Sequence, residues 1–345
     1  MNSLIKMQTH QGTILSFGEL LFRICPDADG AWLNNNQLPF YVGGAELNVA
    51  TALALWGLRS KFFTVLPEND LSVQIVSFLQ TKGVDTSPIF YGGKRIGLYF
   101  LTKGQDLKDD ALIYDRANSA FAGLKPGMIN WEKVLEGVSW FHFSAICPAI
   151  SQNVADVCKE VLELASQKNI TISVDLNFRS KLWQYGSSPL DVMPELVKYC
   201  DLVMGNVWSA KTMLGIPVMP DIHKSGQKGI YLNEALKTSE KIIEQYPNCK
   251  VVANTFRFDD KNEMQYYTTL YADNQFYHSE EYKTCAVKDK VGSGDCFMAG
   301  LIYGFYNKLK PVETIELATA AAFEKLFVTG DATDKTIAEI KKTMK

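Results

Sequence analysis

The chain has 345 residues, 47% hydrophobic and 21% charged, with a formal net charge of −3. That composition describes a globular protein with a substantial core and gives no electrostatic reason to expect nucleic acid or an anionic membrane as partner. No apolar run is long enough to cross a bilayer, and Met1 to Gly12 is polar where a secretory leader is apolar, so a cytoplasmic protein is expected.

Short apolar strands alternate with helical stretches along the chain. Thr13 to Phe17 reads as a strand and Ala45 to Trp56 as a helix stopped by Gly57. Lys61 to Leu66 is the next strand, followed by a helix from Leu71 to Lys82 closed by Gly83. Val138 to Phe143 and Ile170 to Leu176 flank a helix from about Ser151 to Gln167. Asp201 to Gly205 and Lys250 to Thr255 are further strands, and two helices follow, Gly294 to Tyr306 and Val312 to Val328. This alternation predicts α/β architecture with a mostly parallel sheet covered by helices on both faces.

Two stretches break the rhythm. Leu20 to Phe40 is rich in Asn, Asp and Pro, and Gly92 to Phe121 shows strand-like alternation at Gly97 to Leu101 and again at Leu112 to Tyr114. Neither contains a crossover helix. We expect antiparallel excursions that pair as a small sheet, forming a lid over the carboxyl ends of the parallel strands. An exposed lid edge would offer a second copy a place to pair.

Seven scattered cysteines lack any Cys-x-x-Cys pair and read as reduced thiols, with Cys147, Cys158 and Cys200 in apolar contexts. The four histidines are isolated and show no metal spacing. His142, inside Trp140-Phe141-His142-Phe143, reads as a core histidine rather than a ligand.

The chemistry concentrates in Val291-Gly292-Ser293-Gly294-Asp295, ahead of an apolar helical stripe at Phe297, Leu301 and Phe305. Loop glycines entering a helix leave free backbone N–H groups at the positive end of the helix dipole, which suits an anion. Asp295 in the first turn is badly placed to bind phosphate but well placed to take a proton from a hydroxyl attacking it. A plain turn with a dipole-compensating Asp is the competing interpretation. A dinucleotide fingerprint fails because its sixth position is Phe297 and Ala286 to Lys290 is too charged for a buried strand. No Walker A sequence occurs.

A second motif, Gly43-Gly44-Ala45-Glu46-Leu47-Asn48-Val49-Ala50, places paired glycines before a helix and an amide in its first turn. Together, Gly-Gly-x-x-x-Asn-x-Ala and the later Val-Gly-Ser-Gly-Asp-Cys-Phe resemble the ribokinase-like PfkB carbohydrate kinases, over nearly the whole chain. The resemblance implies a three-layer α/β/α core spanning residues 1–345, with lid segments at roughly 20–42 and 92–121. It implies ATP as donor, with Mg²⁺ on the nucleotide. It makes Asp295 the general base, Gly292, Ser293 and Gly294 the anion hole, and Gly43, Gly44 and Asn48 the sugar-holding residues. Asn206, Thr255 and Arg257 fall on the nucleotide side. Asp289 matches a position where family members help bind a monovalent cation such as K⁺; a solvated loop Asp is the alternative.

Gly18-Glu19-Leu20-Leu21-Phe22-Arg23, Gly97-Leu98-Tyr99-Phe100, Tyr114-Asp115-Arg116-Ala117-Asn118-Ser119-Ala120 and Asp175 to Trp183 resemble the 2-keto-3-deoxygluconate kinases. That likeness assigns Tyr99, Tyr114, Arg116 and Arg179 to the substrate. Two guanidiniums at one sugar site suit a carboxylate, whereas a neutral hexose would leave them unpaired. Phosphate binding, or a salt bridge with Asp175 or Asp191, is the competing use of Arg179. The expected substrate is therefore a sugar acid, with a neutral keto sugar, as in fructokinases, as the alternative. Two departures from the family stand out. Ser209 replaces the Glu of Asn-x-x-Glu after Asn206, which leaves open a ligand-binding protein with weak catalysis. Thr255-Phe256-Arg257 replaces Thr-x-Gly, and Arg257 either meets phosphate or is a solvated cation. Gly330-Asp331 falls in the region that borders the adenine in relatives.

Overall fold

The computed structural model describes residues 12–26, 37–102, 112–224, 226–260 and 263–345. The polar N-terminal segment with His10, and the middles of both expected lid segments, lie outside the described residues.

Along the chain, β1 (Thr13–Phe17) is followed by β2 (Leu21–Ile24), β3 (Phe40–Gly43), α1 (Ala45–Leu55), β4 (Ser60–Phe63), β5 (Val65–Leu66) and α2 (Asp70–Thr81). Then come β6 (Phe90–Tyr91), β7 (Gly97–Phe100), β8 (Ile113–Asp115), α3 (Trp131–Val134), β9 (Val138–Ser144), α4 (Gln152–Gln167), β10 (Thr171–Asp175) and α5 (Pro189–Val197). The C-terminal part holds β11 (Leu202–Gly205), α6 (Val207–Leu214), α7 (Lys228–Gln245), β12 (Val251–Asp260), β13 (Glu263–Ala272), β14 (Gln275–His278) and β15 (Tyr282–Thr284). It ends with α8 (Ser293–Tyr306), α9 (Pro311–Lys325) and α10 (Ile337–Thr343).

The large sheet runs β14-β13-β12-β11-β10-β9-β1-β4, with β15 also on β13. The strands from β12 to β4 pair in parallel, as expected from their apolar runs. Successive residues point to opposite faces: Leu15, Val203 and Val252 join one core, while Ile14, Leu202, Met204, Val251 and Ala253 join the other. Helices α4, α5 and α6 cover the first face and α1, α8 and α9 the second. Helix α8 lies tight on α9, since a Cβ on Gly300 would collide with the Ala318 backbone.

The structure adds helices α3, α5, α6, α7 and α10, which the sequence reading does not name, and departs from it in the strands as well. The antiparallel β13–β15 edge lies in a Tyr- and Thr-rich segment that the apolar-run criterion passes over. Lys61 to Leu66 divides at Thr64, whose carbonyl accepts the Phe90 amide and steers β5 onto β6, away from the main sheet. The small sheet forms in the order β3-β2-β7-β8, but β2 and β7 run parallel rather than antiparallel. The chain passes through α1, β4 and α2 between these strands, and that long crossover permits the same direction on return.

Candidate active site

A cleft of about 510 Å³ lies between the carboxyl ends of the parallel strands and the small sheet, and it gathers most of the expected site residues. Helix α8 begins here at Gly292, whose φ of 80° is left-handed and whose Cβ, if present, would collide with the Asp331 carbonyl. The Ser293 hydroxyl donates to Ala322 O at 2.9 Å, anchoring the loop to α9 and leaving the amide, not the side chain, for a ligand. Gly294 meets nothing closer than Met204 Cε at 3.9 Å, so its face is open.

Asp295 lies in the first turn of α8 and is buried. Asn48 Nδ2 donates to its Oδ2 at 2.7 Å. Burial pushes the Asp295 carboxyl up to about 7, Glu46 and Asp331 add to the rise, and Asn48 and Arg179 oppose it. A carboxylate tuned to neutral pH is matched to general-base work. Asp175, at the end of β10, is held well above the usual carboxylate range by burial and by Asp295. Glu46 accepts from the Ser144 amide at 3.0 Å and from the Ser144 hydroxyl at 2.5 Å, and burial raises its carboxyl as well.

The sugar-side residues divide. Gly44, Asn48, Tyr99, Tyr114, Arg116 and Arg179 line the cleft. Gly44 has a φ of 142°, and a side chain there would strike Glu19 O. Gly43 is not among the residues of the wall: it backs onto the Asp331 carboxylate, which a side chain there would strike. Asn48 Oδ1 and Glu19 Oε1 are buried acceptors with no donor among the described residues, suited to ligand hydroxyls. Tyr99 is buried and donates to Asp331 Oδ2 at 2.8 Å, so its hydroxyl is already directed.

Arg116 corrects one expectation. Its Nε and Nη2 both lie 2.6 Å from Glu19 Oε2, in a buried pair. A neutral sugar would therefore not leave Arg116 unpaired, and the case for a carboxylate loses one of its two cations. Arg179 is half-buried, donates to Phe178 O at 2.9 Å and forms no ion pair with Asp175 or Asp191. Asp191 instead binds Ser188 in the cap of α5.

On the other side, Asn206, Thr255 and Arg257 line the same cleft. Asn206 caps α6 by accepting the Ser209 amide at 2.9 Å, and Ser209 Oγ accepts the Asn206 amide at 2.9 Å. Ser209 thus closes a reciprocal capping box where the family has Glu. Thr255 Oγ1 lies 3.4 Å from Gly205 O, a long bond that joins β12 to β11.

Asp289 is buried rather than a solvated loop residue. Its Oδ1 accepts from Arg23 Nη1 at 3.2 Å and the Val291 amide at 3.1 Å; its Oδ2 accepts from Arg23 Nη2 at 2.5 Å and the Gly330 amide at 3.1 Å. Arg23 Nε also lies 2.8 Å from Asp331 Oδ1, close enough for an ion pair but not aligned as a hydrogen bond. Asp331 is buried against Arg23, Tyr99 and Gly43 and reaches the wall of the cleft. Among the described residues, no group of three or more His, Cys, Asp or Glu is arranged to hold a metal. No described helix is long and apolar enough to cross a membrane.

Sequence reasoning gives Arg23, Glu46 and Lys325 no role of their own, and places Asp331 only in the region that borders the adenine in relatives. The one available signal was unbalanced polarity: a charged residue within an apolar strand or helix must find a buried partner. His142 behaves as expected, with Nδ1 3.0 Å from Ser173 Oγ and burial pulling its pKa down to about 3. None of the seven cysteines forms a disulfide, and Cys285 alone among them is exposed.

A left-handed glycine loop opening a helix, a neutral-tuned carboxylate and a small sheet facing the strand ends define a phosphoryl-transfer class of α/β fold. Residues 11–337 match the family described as pfkB family carbohydrate kinase, and the chain belongs to that family. A crystal structure of 2-dehydro-3-deoxygluconokinase from Thermotoga maritima is 32% identical, with a TM-score of 0.86 over 96% of this chain and 98% of that one. A 2-dehydro-3-deoxygalactonokinase of Haloferax volcanii is 31% identical over 49% of this chain, a match spanning 53% of that relative's length. A probable fructokinase-2 of Arabidopsis thaliana is 26% identical over 85% of this chain and 81% of its own.

Proposed function

We propose that the chain transfers the γ-phosphoryl group of ATP to a hydroxyl of a sugar acid, converting 2-keto-3-deoxygluconate to its 6-phosphate. The observation that carries this reading is the Asp295 carboxyl, tuned to about 7 and held by Asn48, beside open backbone amides at the start of α8. Asp295 takes the hydroxyl proton as that oxygen bonds to the γ-phosphorus, and the bond to the bridging oxygen breaks to release ADP. The amides of Gly292, Ser293 and Gly294 face the charge on the transferring group. Asn206, Thr255 and Arg257 border the space for the nucleotide, and Mg²⁺ bound to its phosphates supplies charge neutralisation.

The acid preference draws support from Arg179, a half-buried guanidinium on the cleft wall with no ion-pair partner among the described residues, whose field reaches both Asp175 and Asp295. The Thermotoga likeness, at 32% identity over nearly the full chain, points the same way. A neutral keto sugar is the second reading, favoured by the Arg116–Glu19 pair and by the fructokinase relative. Coupled ADP release with ATP and Mg²⁺, on 2-keto-3-deoxygluconate, fructose and ribose at matched concentrations, separates the two. A preference for fructose would overturn the acid reading and leave Asp295 as the base. Pairing of two copies through the small sheet is part of the proposal, since its edge strands expose Phe40 and Ile113; sizing by light scattering tests it.

A further inference from the structure

We propose that the ammonium group of Lys325 is a built-in cation behind the anion-binding loop, and that this chain needs no bound K⁺. Its functional half rests on the phosphoryl-transfer reading above; its ion-binding half does not.

Lys325 ends α9, is 0% exposed, and donates from Nζ to Val328 O at 3.1 Å. A fully buried lysine is rare unless its charge is balanced. Its stem packs against Gly292: a Cβ there would lie 3.3 Å from Lys325 Cε. Burial pulls the Lys325 pKa down and Arg23 adds to the fall, while the carboxylates of Asp289 and Asp331 oppose it and hold the charge in place. The cluster thus holds two buried cations and two buried carboxylates, formally neutral as it stands.

A dissolved ion does not fit this arrangement. Each oxygen of Asp289 already accepts two N–H groups. Leu326 O accepts the amides of Lys288 and Asp289, and Val328 O accepts Lys325. Adding K⁺ would place an unbalanced positive charge among groups that already have partners. Lys325 instead supplies a fixed charge that adds to the dipole of α8 at Gly292, where the transferring phosphoryl would sit. Because it acts through the loop, it is a positioning residue.

The test compares KCl with tetramethylammonium chloride at equal ionic strength, reading both ADP release and melting temperature of the full chain. The expected result is equal turnover and an unchanged melting temperature in the two salts. A K⁺-specific rise in melting temperature would overturn the ion-binding half, because a ligand bound only by the folded state stabilises it. A K⁺-specific rise in turnover would overturn the functional half. Lys325→Met leaves two carboxylates facing one cation, so turnover should fall about tenfold to a hundredfold and recover in part with K⁺ or NH₄⁺. Wild-type turnover in that variant would contradict the role. If neither salt supports turnover of any substrate, the substrate reading fails while the melting comparison still decides the ion question.

Discussion

Asn48 and Asp295 stand 247 positions apart in sequence, yet the Asn48 side-chain amide donates to the Asp295 carboxylate at 2.7 Å. Each belongs to the first turn of its helix, α1 and α8, and the two helices pack on the same face of the sheet. The bond aims the carboxylate and pulls its pKa down against the rise caused by burial. Asn48→Ala removes that opposing influence, so the Asp295 pKa should climb above about 7. The acidic limb of the kcat/KM profile should move to higher pH, with activity at neutral pH reduced and partly regained in alkali. A profile with an unmoved limb would show that Asn48 does not tune the base.

The same shift has a sign for stability. The Asp295 carboxyl is raised from 3.8 to about 7 in the folded state. Below the unfolded value both states carry the proton and there is no penalty. As pH rises toward the folded value, the unfolded chain releases its proton first, and folding loses stability until about pH 7, above which the loss is complete. Asp295→Asn stays neutral and should be more stable than wild type at about pH 8, by on the order of 4 kcal/mol, with the gap closing as pH falls. Denaturant midpoints across pH measure this; a variant weaker than wild type at about pH 8 would contradict it.

The two arginines of the cleft should separate. Arg116→Ala strands Glu19 in a buried setting and should destabilise the fold by about 3–5 kcal/mol, lowering turnover on acid and neutral sugars alike. Arg179→Ala, half-exposed and without an ion pair among the described residues, should melt near wild type while losing turnover selectively on the acid. Melting curves and kinetics on both substrate types decide it; a selective acid loss in Arg116→Ala alone would reverse the two roles.

Ser209→Ala should cost about 1 kcal/mol by opening the α6 capping box, read as a lower denaturant midpoint. No change would mean that the serine contributes nothing to the helix start.

The parallel sheet was legible because its strands are buried on both faces and read as apolar runs such as Val138 to Phe143. The β13–β15 edge was not, since Glu263, Gln265 and Lys283 dilute the apolar signal at a sheet margin. Asp295, the Gly292–Gly294 loop and Asn48 were legible because each sits at a helix start with a chemical signature. The partners of charged residues were not: Arg23 and Asp289 are separated by 266 positions, and spacing carries no record of that contact. Glu19 hid for the same reason, and with it the neutralisation of Arg116.

The most direct measurement is turnover of Asp295→Asn against wild type, by coupled ADP release with ATP and Mg²⁺, alongside calorimetric binding of the preferred sugar. Turnover reduced by about 10²–10⁴-fold with sugar binding retained is the expected result. Near-normal turnover in the variant would contradict Asp295 as the base that receives the hydroxyl proton.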